Sequence, residues 1–129
     1  MGLTDISPQI PDKSASVAAG EETRVPEVTA GELLLEQCDS CALLLLDCRE
    51  DYEWERLRIP GSLHIPMRQI PRRLSELDTH ADIVVVCEHG ERSYRMAGYL
   101  IDHGFCARSL RGGLAEWRAR GGRVENGHQ

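Results

Sequence analysis

The sequence predicts an α/β fold with a mainly parallel sheet, on three observations. The runs at 43–48, apolar but for Asp47, and at 83–86 do not alternate with polar residues, the mark of strands covered on both faces. Between and after them lie segments with apolar residues at helical spacing. Strands and helices therefore alternate along the chain, as in a parallel sheet with crossover helices on both faces. At 129 residues and 41% hydrophobic content, the chain suits one domain whose core needs no covalent staples.

Residues 1–27 are rich in Ser, Pro, Ala and Gly, show no sustained period, and are expected to form a flexible lead. The folded domain is expected over 28–122 and a loose polar tail over 123–129. Thr29 and Glu32 have capping-box spacing, which opens a helix with Ala30, Leu33, Leu34 and Cys38 on one face. Asp39 and Ser40 mark a turn before the leucine-rich strand. A short helix over 50–56, a turn at Pro60-Gly61 and a short strand over 63–65 follow. Ile70, Leu74 and Leu77 have helical spacing over 67–77, with Pro71 tolerable only in a first turn. The β-branched run at 83–86 reads as the central strand. The segment 92–103 reads as a helix with Met96, Leu100 and His103 on one face, Ala97 and Ile101 beside them, and Gly104 as its stop. A last strand at 107–110 precedes Gly112-Gly113 and a helix through Trp117.

A net charge of −6 argues against nucleic acid, which needs a basic face, and offers nothing to an anionic membrane. Five scattered cysteines, an odd count, fit reduced thiols better than a disulfide framework. With no leader pattern and no spanning apolar run, the expectation is a soluble cytoplasmic protein. Cys38 and Cys41 have the spacing of half a zinc site or a redox pair. No second pair completes four ligands, and the pair closes a helix rather than opening one, so no metal is expected.

The chemistry-bearing segment is Cys87-Glu88-His89-Gly90-Glu91-Arg92-Ser93. A buried strand delivers Cys87 into a short loop that runs straight into a helix. In open α/β sheets such strand ends hold the reactive groups. Loop amides and the helix N-terminus favour a negative sulfur there, and Arg92 adds a fixed positive charge. Gly90 permits a backbone conformation that a side chain would oppose. A buried, inert strand-end cysteine is the bland alternative. The glycine, arginine and helix start that follow weigh against it. Asp47 and Arg49, at a neighbouring strand end, are expected to form an ion network that supports the loop.

Four stretches together resemble a rhodanese homology domain from about Val28 to Gly122. Leu46-Asp47-Cys48-Arg49-Glu50 resembles the family's Asp-x-Arg strand end, and Ile59-Pro60-Gly61-Ser62 its Ile-Pro-Gly-Ala turn. Cys87 to Ser93 resembles its Cys-x-x-Gly-x-Arg-Ser loop, and Gly104-Phe105 through Gly112-Gly113 to Trp117 its C-terminal signature. The resemblance implies a rhodanese-like fold, a five-stranded sheet flanked by helices. It also implies sulfurtransferase activity through a Cys87 persulfide, with the loop Glu88, His89, Gly90, Glu91, Arg92 and Ser93 as its cradle and no cofactor. The implied partners are a small sulfur donor, a thiol or cyanide acceptor, and a sulfur-carrier or persulfide protein.

Two departures stand out. Leu57-Arg58 replaces the Gly-His that often precedes Ile-Pro-Gly, with a local effect expected. Glu88 and Glu91 make the loop more acidic than a thiosulfate user favours, since carboxylates repel a dianion. A persulfide is therefore the expected donor. Two rival readings are a non-enzymatic rhodanese-like interaction module and a Cys-loop phosphatase or arsenate reductase. Modules of the first kind often lack the loop cysteine. Enzymes of the second need a longer Cys-x5-Arg loop than the four residues between Cys87 and Arg92.

Overall fold

The computed structural model describes residues 24–36 and 43–127. Cys38, Cys41 and the turn expected at Asp39 and Ser40 lie outside the described residues, as do residues 1–23 of the expected lead. The elements are β1 (Glu27–Val28), α1 (Ala30–Glu36), β2 (Leu43–Asp47), α2 (Asp51–Arg56), β3 (Leu63–His64), β4 (Asp82–Val86), α3 (Glu91–Asp102), β5 (Cys106–Leu110) and α4 (Gly113–Ala119). The five strands form one sheet in the order β1-β5-β4-β2-β3, with every pair parallel. No helix among the described residues is long and apolar enough to cross a membrane.

β4 is central because its side chains are apolar on both faces. Ile83, Val85 and Cys87 face one layer, with Met96, Ala97 and Leu100 of α3. Val84 and Val86 face the other, with Leu33 of α1 and Leu114 and Trp117 of α4. That alternation is the two-residue period of a strand, and it aims the Cys87 side chain at the α3 layer. Each of these fully buried aliphatic side chains contributes about 1.5–3 kcal/mol. The capping box of α1 forms as its spacing predicts: Glu32 N–H donates to Thr29 Oγ1 at 3.1 Å and Thr29 N–H to Glu32 Oε1 at 2.9 Å.

Two expectations need correction. Residues 67–77 are not an α-helix but two 3₁₀ segments, Met67–Arg72 and Leu74–Glu76. Pro71 lies well inside the segment, where it lacks an N–H for an α-helical ladder. The chain takes i→i+3 bonds instead, such as Arg73 N–H to the Ile70 carbonyl at 3.0 Å. The buried face of α3 is Ser93, Met96, Ala97 and Leu100. Ile101 lies beside that stripe and is exposed; His103 is exposed as the C-cap past the last helical residue, where it stacks on Tyr99. Past α4 the chain returns to the domain: Glu125 and Arg58 exchange two backbone hydrogen bonds, and Trp117 Nε1 donates to the Arg123 carbonyl at 2.9 Å.

Candidate active site

Cys87 is the first residue after β4, and its loop ends at Glu91, where α3 begins. Gly90 takes φ 101°, a left-handed conformation that turns the loop into the helix and that other residues adopt only at a cost of about 1–2 kcal/mol. The turn points two amides at the sulfur. Cys87 Sγ accepts the N–H of Gly90 at 3.1 Å and of Ser93 at 3.2 Å. Both belong to the opening of α3, so the helix dipole reinforces their preference for negative charge. The Ser93 hydroxyl is 3.4 Å from the sulfur and 2.7 Å from Ser109 Oγ. All three side chains are buried, Cys87 with 1% of its surface exposed. Either serine can be the donor in the Ser93–Ser109 bond, so Ser93 can donate to a thiolate while accepting from Ser109.

A second helix holds the loop from behind. Leu114 N–H donates to the Cys87 carbonyl at 2.8 Å, and Ala115 N–H to the Glu88 carbonyl at 3.0 Å. In a planar trans peptide the N–H points opposite the C=O, so the amides of Glu88 and His89 are turned away from α4. This fit requires Gly113: a Cβ there would lie 2.4 Å from the Glu88 oxygen and 2.5 Å from the Cys87 oxygen.

Charged groups brace the rim. Arg92 points towards α2, where its two terminal nitrogens bind the Glu53 carboxylate at 2.9 and 3.0 Å. Glu53 also accepts the Glu50 N–H at 2.8 Å. The hydrogen bonds from Arg92 hold the Glu53 carboxyl below the usual carboxylate range, against burial, which raises it. Asp47 and Arg49 form a buried bidentate pair, with Nε to Oδ1 and Nη2 to Oδ2 both at 2.9 Å. Arg49 also donates to the Leu57 carbonyl at 2.5 Å and lies 3.5 Å from Glu88. His89 and Glu91 are exposed. The loop residues thus divide three ways. Gly90 and Ser93 gather at the sulfur, Glu88 and Arg92 tie to neighbouring elements, and His89 and Glu91 face solvent.

Cys48 stands beside Cys87. It follows β2, is 1% exposed, and its N–H donates to the Val86 carbonyl at 3.0 Å. Burial first, then the neighbouring charges of Cys87 and Asp47, pushes its thiol from an ordinary value near 9 up to about 12.

A family model described as a rhodanese-like domain matches residues 29–120. The chain belongs to the rhodanese-like family. A sulfurtransferase of Allochromatium vinosum is 36% identical over 98 residues, which cover 75% of this chain and 92% of that protein. The thiosulfate sulfurtransferase GlpE of Pseudomonas syringae is 37% identical over 76 residues, covering 58% of this chain and 72% of that one. Among solved structures, a rhodanese-like domain protein from Staphylococcus aureus superposes with a TM-score of 0.72 at 29% identity, over 79% of this chain and 98% of that chain.

Sequence reasoning missed three residues of this rhodanese-like site. Ser109 lies inside a short strand, where nothing local marks it as a partner of Ser93. Glu53 belongs to the short helix expected over 50–56, where nothing local marks it as the anchor of Arg92. Its place three residues after Glu50 signals only a helix-start carboxylate. Cys48 was read as a strand residue, but it sits one step past the strand end, against the site.

Proposed function

We propose that this protein is a sulfurtransferase in which Cys87 carries sulfane sulfur as a persulfide. The observation that carries the reading is the pair of α3 amides donating to Cys87 Sγ. N–H groups fixed on a sulfur stabilise it as an anion, the nucleophilic form, as an oxyanion hole stabilises oxygen. The thiolate attacks the outer sulfur of a donor, and the rest of the donor leaves with the bonding pair. A thiophilic acceptor, cyanide in an assay and a thiol or sulfur-carrier protein in a cell, then attacks the outer sulfur and restores the thiolate. The persulfide carries the reactive atom about 2 Å beyond a thiol that has almost no exposed surface.

The donor preferred here is a persulfide rather than thiosulfate. Arg49 partly offsets Glu88, but Glu91 stands exposed at the rim and repels a dianion. A phosphatase would need an arginine free to clamp a tetrahedral anion, whereas both terminal nitrogens of Arg92 are held by Glu53. In a cell the protein is expected in the cytoplasm, alone or beside a sulfur-carrier protein.

Intact-mass measurement after incubation with a persulfide donor tests the proposal. A gain of one sulfur is expected, reversed by cyanide with thiocyanate release and lost in Cys87→Ser. If the wild type gains no sulfur from any donor, the role is docking rather than transfer.

A further inference from the structure

Cys48 is a buried nucleophile that the transfer cycle leaves unused. Its N–H bond to the Val86 carbonyl continues the β2–β4 register one step past Asp47↔Val86, which brings it level with Cys87. Adjacent strands lie about 4.8 Å apart, within the roughly 4.4–6.8 Å Cα separation that a disulfide spans. Both side chains belong to the same buried layer, on the α3 side of the sheet. Cys48 approaches the Cys87 sulfur from β2, while the Gly90 and Ser93 amides approach it from the loop and α3.

We propose that Cys48 is a resolving thiol: it attacks the inner sulfur of a Cys87 persulfide, closes a Cys48–Cys87 disulfide and expels the outer sulfur as hydrosulfide. The step presupposes the Cys87 persulfide proposed above. The bond formed joins the two Sγ atoms. The bond broken lies between Cys87 Sγ and the outer sulfur, which departs with the bonding pair. The Cys48 thiol proton passes to the outer sulfur, so the leaving species is HS⁻. The Cys48 sulfur is oxidised and the outer sulfur reduced by the same amount, while Cys87 Sγ stays at the disulfide level, so no outside oxidant enters. Reopening the disulfide takes two electrons and two protons from a dithiol reductant.

The surroundings fit this role. At 1% exposure, Cys48 is screened from outside thiols and oxidants and meets its neighbour at high effective concentration. A thiol pushed up to about 12 keeps its proton until the persulfide's outer sulfur can take it, which makes the step slower than transfer to a good acceptor. The protein would therefore deliver sulfur when an acceptor is present and release hydrosulfide when none is.

The experiment loads the full chain with a persulfide donor, removes the excess, and follows three signals over time. These are persulfide mass, hydrosulfide release, and a Cys48–Cys87 peptide in a non-reducing digest. In the wild type the sulfur mass should decay as hydrosulfide and the linked peptide appear together, and dithiothreitol should restore both thiols. In Cys48→Ser and Cys48→Ala the persulfide should outlive the wild type's at least tenfold, and no linked peptide should appear. A wild-type persulfide that persists like the variants', with no linked peptide, overturns the role of Cys48 and leaves the transfer reading standing. Absence of any persulfide in wild type and both variants overturns the transfer reading, and this step with it.

Discussion

The sulfur of Cys87 is held by contacts that can be removed one at a time. Ser109 touches it only through Ser93, at 2.7 Å between hydroxyl oxygens. Replacing Ser109 with Ala leaves a buried hydroxyl short of a partner, at a cost of about 1–3 kcal/mol. Urea unfolding should report that loss, and persulfide formation should slow severalfold; an unchanged midpoint and rate would mean that the serine pair contributes nothing. Glu53 sets an acid limb. Its folded value lies below an unfolded value of about 4.3, so its contribution is complete above that pH and is lost as pH falls through the depressed folded value. Glu53→Gln should flatten the acid side of a stability–pH curve. Cys48 sets the opposite limb. Its thiol, raised to about 12, holds its proton when the unfolded chain has released its own, so stability should fall from about pH 9 upward. That alkaline loss should shrink in Cys48→Ser.

At the scale of elements, α3 supplies the amides and α4 holds the loop in place. Gly113→Ala tests the second role, because its methyl would meet the Cys87 and Glu88 carbonyls at about 2.5 Å and Gly113 itself takes φ 64°. Moving the loop by about 1 Å is worth on the order of 10²-fold in rate, so sulfur transfer should fall by about that factor. A variant that keeps wild-type rates would show that α4 does not position the loop. The same elements show what the chain reveals before it folds. The apolar run of β4, the capping box of α1 and the Cys-to-Ser loop are local patterns, and each appears where its residues place it. The Glu53–Arg92 pair joins residues 39 apart and depends on how α2 packs against the loop. No window of sequence contains that information. The 67–77 segment misled for a different reason: 3.6- and 3.0-residue repeats look alike over two turns, and Pro71 decides between them.

For the molecule as a whole, the proposed donor preference rests on charge. A net −6 surface with Glu91 exposed at the site repels thiosulfate over a distance set by salt. Screening shortens from about 30 Å at 0.01 M ionic strength to about 10 Å at 0.1 M. Thiosulfate kcat/KM should therefore rise severalfold over that range, and Glu91→Gln should give much of the same gain at low salt. A neutral polysulfide donor should respond to neither change. A thiosulfate rate indifferent to both would remove the electrostatic basis for preferring persulfides.

The backbone bridge between Arg58 and Glu125 has a practical corollary. Leu57, next to Arg58, receives the guanidinium of Arg49, which in turn braces Glu88. A purification handle or tether joined close behind Glu125 would tug on this chain of supports. An engineer coupling the protein to a surface, or fusing it to a carrier, should leave a generous spacer there, or loop rigidity will suffer before any thermal scan registers the damage.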